Sequence, residues 1–377
     1  MFGGPGLGSL EKILTWDTAS MPNNRLAFLV PGIFGSRLSI PRQEIWGLNF
    51  FENYSRIADT PMILAWNGSH VPATLLREAN MRPPYFPFVI YRQKLWDKLI
   101  TELHAHPDFG PTATIEVGYD WRASLLDLSA SVSGQIKQTL RQFSDHNKVV
   151  AKAVLITHSM GGLLVRVAIG SGQISSNDID RVIHIGTPLI GSPSAFSSLY
   201  GQLRFPLLDQ FLRFAHGKRA VRFRENLFDC VHTFHSAWEL LPQQFHAYVR
   251  HTGTIRLINP LTETVIDPAH VSRARQVHQL ANQAEGILTN AGIPVHKIYT
   301  DSHQVLTEFQ YDVSIRGIPG KSKYVIDRIY ENSEGDGTVP SISASGNRPK
   351  DPNSVIDVSH AEMCNHRRVS ALLPGLL

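Results

Sequence analysis

The sequence predicts an α/β fold: a mainly parallel central sheet, helices on both faces and an inserted cap. Three observations carry that prediction. Short apolar runs ending in turn residues recur along the chain, as buried parallel strands do. Amphipathic stretches separate them, the alternation that builds a sheet covered on both faces. Near residue 192 this rhythm breaks, and it resumes only near residue 290.

Taken in order, "RLAFLVP" (25–31) is the first strand, closed by Pro-Gly. Residues 36–90 read as an irregular insertion holding Trp46, Trp66 and the Pro-rich "MRPPYFPF"; "VIYRQKLWDKLITEL" (89–103) then has helical spacing. "TATIEVGYDWR" (112–122) is a strand with an aromatic exit, and "SLLDLSASVSGQIKQTLRQFSD" (124–145) is a helix with apolar residues three and four apart. "KAVLITHS" is the next strand, "MGGLLVRVAIGSG" the glycine-ended helix leaving it, and "VIHIGTP" (182–188) a further strand. From about 192 to 290, phenylalanines interleave with arginine and lysine, seven of each between 201 and 250, which reads as a cap or lid. Strands resume with "VHKIYTDS", "KYVIDRIYEN", "GDGTVP" and "SVIDVSH". No internal repeat appears, so 1–377 reads as one domain with two insertions.

Composition narrows the function classes. The chain has 377 residues, is 42% hydrophobic and carries a net charge of +4. Its 36 Lys and Arg are dispersed, with no basic run, which argues against nucleic-acid binding. Two cysteines, Cys230 and Cys364, make a disulfide framework implausible and fit a reducing compartment. The start lacks a basic and apolar signal pattern, and no uncharged apolar window approaches the ~20 residues of a membrane span. The expectation is a cytoplasmic protein with at most transient contact with a membrane surface. None of the 17 histidines falls in H-E-x-x-H or a comparable cluster, so neither a metal nor another cofactor is expected.

The informative stretch is "ITHSMGGLLVR" (156–166). A serine between a buried strand and a helix, with small residues on either side, fits a nucleophile elbow; the plainer alternative is a helix N-cap. Thr157 stands where the G-x-S-x-G pattern has its first glycine, while Gly161 and Gly162 keep the helix side open. A serine is inert without a base and an orienting carboxylate, which in this chain order follow it after later strands. Asp336 in "SEGDGTVP", just after "KYVIDRIYEN", is the acid candidate, with an ordinary Asp-Gly turn as its alternative. His360, closing the last strand, is the base candidate; His303 and His366 are its late competitors, His366 lying inside the last helix. Asp120 and Arg122 precede the serine, so chain order makes them a structural pair.

With these residues in hand, the chain resembles the lecithin:cholesterol acyltransferase family of α/β hydrolases. "LVPGIFGSRL" (29–38) is similar to its opening strand and oxyanion loop, "GYDWR" (118–122) to its signature and "THSMGG" to its elbow. "HIGTP" (184–188), "EGDGTVP" (334–340) and, more weakly, "ELLP" (239–242) follow in the family's order. The resemblance implies an α/β-hydrolase fold with Ser159 as nucleophile, Asp336 as acid and His360 as base. It also implies an oxyanion hole from the backbone N–H groups of Ile33 and Met160. The sequence departs after Gly-Thr-Pro, where "LIGS" stands in place of Trp-Gly-Gly, and it has no lid cysteine pair in 36–90.

The reading is therefore a serine hydrolase of lipid esters, phospholipids first, with the cap supplying an acyl pocket and basic residues near a phosphate. An acyltransferase, a small-ester esterase or peptidase, and a scaffold without chemistry are the rivals. A toxin-like lipase held silent until a protein partner opens the cap would also fit, but the sequence does not identify that partner.

Overall fold

The computed structural model describes residues 24–82, 89, 91–199, 217–242, 247–251, 254–258, 267–305, 308–312, 325–330, 333–348 and 355–377. Its strands are β1 (Arg25–Val30), β2 (Ser36–Ile40), β3 (Gln43–Trp46), β4 (Ala73–Leu75), β5 (Glu78–Met81), β6 (Tyr91–Lys94), β7 (Thr114–Glu116), β8 (Lys152–His158), β9 (Ile179–Ile185), β10 (Ala247–His251), β11 (Thr254–Ile258), β12 (Val295–Thr300), β13 (His303–Val305), β14 (Glu308–Asp312), β15 (Val325–Tyr330), β16 (Ser333–Gly335) and β17 (Val355–Ile356). The helices that position the site are α1 (Phe50–Asp59), α2 (Asp97–Ala105), α3 (Leu125–Asn147), α4 (Met160–Gly170), α5 (Pro193–Leu199), α6 (Lys218–Thr233), α7 (His235–Glu239) and α8 (Pro268–Asn290).

Six strands form the central sheet in the order β17-β12-β9-β8-β1-β7, every pair parallel. Its middle is continuously apolar because it is buried on both faces: Leu26–Val30 of β1 and Ala153–Ile156 of β8 are fully inaccessible. Parallel neighbours need crossover helices, and α3 and α4 are the crossovers that flank β8. α3 starts at Ser124, whose hydroxyl accepts from Leu126 N–H, and it buries Leu125, Leu128, Val132, Ile136 and Leu140. α4 is buried almost all round, packed between α3 and α8. This is the α/β-hydrolase fold.

The structure departs from the sequence reading in three places. Residues 36–81 are ordered as a three-stranded antiparallel sheet, β3-β2-β4, together with α1 and β5. Tyr91–Lys94, read as the start of a helix, is β6 and pairs with β5; the helix begins at Asp97. "KYVIDRIYEN" contributes β15, which lies in a separate four-stranded sheet, β11-β10-β14-β15, and not in the central one. The strand that leads into Asp336 is instead the short β16, paired antiparallel with β13.

Beyond β9, the chain passes through α5, α6 and α7 before α8 returns to pack on α4. α6 buries Ala220, Phe223, Leu227, Cys230 and Val231 and exposes Lys218, Arg219, Arg222 and Arg224. Phe205, Phe211 and Phe214, with Arg204 and Arg213, lie outside the described residues, as does most of "MRPPYFPF". Both cysteines are buried free thiols. Among the described residues no helix is long and apolar enough to cross a membrane.

Candidate active site

β8 ends at His158, and the chain turns sharply into α4 through Ser159, at φ 54° and ψ −132°. That conformation is strained for any residue with a side chain and persists only where surroundings enforce it. Here Ser159 N–H donates to Ile185 O (2.9 Å) of β9, and Gly162 N–H closes the turn on Ser159 O (3.0 Å). The turn brings backbones into contact that leaves no space for side chains. A Cβ on Gly32 would sit 2.6 Å from Ser159 Cβ, and one on Gly161 would sit 2.3 Å from Pro31 O. Thr157 fits in the first glycine's place because its side chain points to β9. Its Oγ1 lies 3.3 Å from Ile183 O, to which it donates, and 2.9 Å from His184 Nδ1, which then donates to it.

Ser159 caps nothing: its side chain makes no bond to the helix it precedes. Its Oγ lies 2.8 Å from His360 Nε2, and His360 Nδ1 lies 2.7 Å from Asp336 Oδ2. The other carboxylate oxygen of Asp336 accepts from Val339 N–H (2.7 Å) and Thr338 N–H (2.9 Å), while His360 N–H donates to Asp336 O (2.9 Å). Asp336 is 2% exposed and Ser159 7%. The structure thus brings all three candidates into one hydrogen-bonded row. The competitors lie elsewhere. His303 Nε2 is 3.6 Å from Asp357 in a solvent-exposed pair, and His366 is not inside the last helix but caps it, accepting from Arg368 N–H.

Ile33 follows Gly32 in the loop against the serine and lines the same cavity, while Met160 N–H is the first of α4. The first N–H groups of a helix have no partner within it. "GYDWR" braces this loop. Tyr119 hydroxyl donates to Pro31 O, Trp121 Nε1 to Ser36 O (2.9 Å) and Tyr119 N–H to Ser36 Oγ (3.3 Å). Asp120 and Arg122 form a buried bidentate pair, at 2.7 and 2.8 Å. That pair ties down the preceding segment: Arg122 Nη1 donates to Leu64 O and Ala65 O, and Asp120 accepts from Val71 N–H.

Four residues escape the sequence reading. Ser192 and Ser194 both donate to Thr338 O (2.7 Å each), clamping the turn whose N–H groups hold Asp336. "GSPS" signals a helix start, with serine as N-cap and proline after it, but not that second bond. Glu239 of "ELLP", fully buried, accepts from Ser124 Oγ (2.5 Å) and Leu125 N–H (2.6 Å) at the start of α3. Burial pushes its carboxyl up to about 7 despite those donors. His158, adjacent to the serine, is held neutral by burial, its pKa lowered to about 3.

The row opens on a cavity of about 260 Å³. Ile33, Phe34, Trp46 and Trp96 line one part of it, and Phe223, Leu227 and Val231 of α6 another. Arg222 and Arg224 are exposed on α6 and absent from the lining, so they do not supply the expected cations inside the pocket. Among the described residues, no three His, Cys, Asp or Glu side chains are grouped to hold a metal.

Residues 88–217 match the lecithin:cholesterol acyltransferase family model. That match spans "GYDWR", the serine turn and "HIGTP", and leaves Asp336 and His360 beyond its end. No curated protein matches the chain in sequence. Among solved structures, it is similar over 94% of its length to 98% of a chain in the crystal structure of the Tle4–Tli4 complex, at 15% identity and a TM-score of 0.53. That likeness is one of fold. Bacillus licheniformis lipase BlEst2 in its mature form is similar at 12% identity and a TM-score of 0.37, with 94% of this chain and 91% of that one covered. Phospholipase PlaB from Legionella pneumophila in complex with thio-NAD follows at 10% identity and a TM-score of 0.25, over 71% and 62%.

Proposed function

We propose that this protein transfers the acyl group of a lipid ester through an acyl-enzyme on Ser159, with water as the ordinary acceptor. The observation that carries the proposal is the row Ser159–His360–Asp336 opening on an apolar cavity. His360 takes the serine proton as Oγ attacks the ester carbonyl, then returns it to the leaving alcohol; Asp336 orients the ring and stabilises the imidazolium. The N–H groups of Ile33 and Met160 meet the charge developing on the carbonyl oxygen. A second acyl-accepting step, to an alcohol instead of water, is the alternative that the family match favours.

The apolar lining supports a fatty acyl chain, and the cations on the outer face of α6 support phospholipids as the first substrates to try. α5 and α6, which line the cavity within the insertion expected at 192–290, act as the cap over that chain, and any protein partner would act on them. The test is intact-protein mass spectrometry after a fluorophosphonate probe, followed by turnover of a phospholipid extract. One adduct is expected on the wild type and none on Ser159→Ala, with kcat reduced roughly 10⁴- to 10⁶-fold in the folded variant. Unchanged turnover by that variant would end the nucleophile assignment.

A further inference from the structure

His158 is the residue of the serine motif that the proposed mechanism leaves unused. Its position is unusual. Nε2 lies 3.0 Å from the backbone carbonyl oxygen of His360, and the two imidazole rings pack with centroids 4.8 Å apart, tilted by 36°. The indole of Trp96 meets the His158 ring edge-on at 6.2 Å. A carbonyl can only accept, so Nε2 carries the proton and the ring is the neutral Nε2–H tautomer. Burial keeps it in that state, with the neighbouring His360 disfavouring a second charge.

The two peptide groups flanking the His360 Cα are therefore each pinned by a different part of the site. Its N–H donates to the carbonyl of Asp336, and its C=O accepts from the residue immediately before Ser159. The first bond fixes the base to the acid. The second fixes it to the strand end that carries the nucleophile, so the 2.8 Å separation of Oγ and Nε2 is set by a direct tie and not by loop packing alone. A neutral donor suits this position. A titrating one would place a second positive charge beside His360 whenever that ring is protonated.

We infer that His158 is a positioning residue for the base, holding the main chain of His360 in register with Ser159 through its Nε2–H. The inference rests on the proposed acyl-serine reading. It requires that the donor, and not merely a ring, be needed.

The test compares the wild type, His158→Phe and His158→Gln on p-nitrophenyl butyrate and in the rate of fluorophosphonate labelling at Ser159, with thermal unfolding run in parallel. Phenylalanine keeps a planar ring of similar size and removes the donor; glutamine removes the ring and keeps an N–H. The His158→Phe variant should lower kcat and the labelling rate by about tenfold, which is about 1.4 kcal/mol at the barrier, with KM within about twofold. The His158→Gln variant should recover to within about threefold of wild type. Wild-type labelling in His158→Phe, or equal loss in both variants while both remain folded, overturns the inference and leaves the serine assignment intact. An unlabelled wild type sinks the acyl-serine reading and this inference together. Should His158→Phe fail to fold, His158→Gln alone decides, since a structural ring would not be replaced by an amide.

Discussion

Replacing Gly161 by alanine should disable the site without touching any reacting group. The Cβ so introduced would lie 2.3 Å from Pro31 O and 2.5 Å from Val30 O, both backbone atoms at the end of β1. Ordinary contact starts near 3.4 Å, so the strand end and α4 must part by about 1 Å. No side chain can swing aside to absorb it. Forced overpacking of this kind costs about 1–3 kcal/mol of stability. The larger effect is geometric, because Pro31 leads into the loop that carries Ile33, and α4 begins with Met160. Displacing one proposed oxyanion donor from the other by about 1 Å is expected to lower kcat about 100-fold. Gly134→Ala serves as the control: Gly134 is an exposed position inside α3 with nothing within 4 Å of the new Cβ. That variant should gain roughly 0.5–1 kcal/mol and keep full activity. Thermal unfolding and p-nitrophenyl butyrate kinetics on both variants decide the matter. Folded Gly161→Ala with a kcat within threefold of wild type would refute the close-approach argument.

Three further outcomes are expected. His360→Ala should match Ser159→Ala, while Asp336→Asn should lose about 10⁴ in kcat; if Asp301→Asn or His303→Ala were as damaging and these two tolerated, the wrong loop has been chosen. For Glu239, the folded pKa of about 7 lies above the ordinary 4.5, so its protonated form favours the fold. The stabilisation is complete below about pH 4.5 and is lost as pH rises through about 7, on the order of 3 kcal/mol in all. Urea unfolding should show the wild type losing that amount against Glu239→Gln between pH 5 and 9, and parallel curves would remove burial as the controlling effect. Leu227→Ala on α6 should cut turnover of long-chain lipid esters about tenfold more than of a butyryl ester, and equal loss on both would reduce the substrate class to generic esters.

The central sheet is readable because burial on both faces leaves a signature that needs no partner to interpret. β1 and β8 each carry an unbroken apolar run, Leu26–Val30 and Ala153–Ile156, and each strand stops at a turn. The insertion at 36–90 is not readable as structure, since β2, β3 and β4 are three to five residues long and part-exposed, too short for a period to register. β15 misleads for a different reason. "VIDRIY" has the composition of a strand, but composition does not say which sheet receives it, and it joins the four-stranded sheet instead of the central one.

The site divides along the same line. Ser159, Asp336 and His360 can each be picked out from a few neighbouring residues, because a strand-to-helix turn and an Asp-Gly turn are local chemistry. Asp336 illustrates it well. It follows β16 and not the strand expected to precede it, yet its turn is defined by its own carboxylate and the N–H groups of Thr338 and Val339, two and three residues on. The braces are of another kind. His158 reaches His360 across 202 residues, Ser192 reaches Thr338 across 146, Glu239 reaches Ser124 across 115 and Tyr119 reaches Pro31 across 88. Each joins common residue types far apart in the chain, and the residue types alone do not say which partner they meet. Those bonds nevertheless fix the loops from which the local motifs project. A chain could therefore keep Ser159, Asp336 and His360 and lose the geometry by changing a brace, and for that reason the variants at His158 and Gly161 bear on the proposed chemistry as directly as those at Ser159.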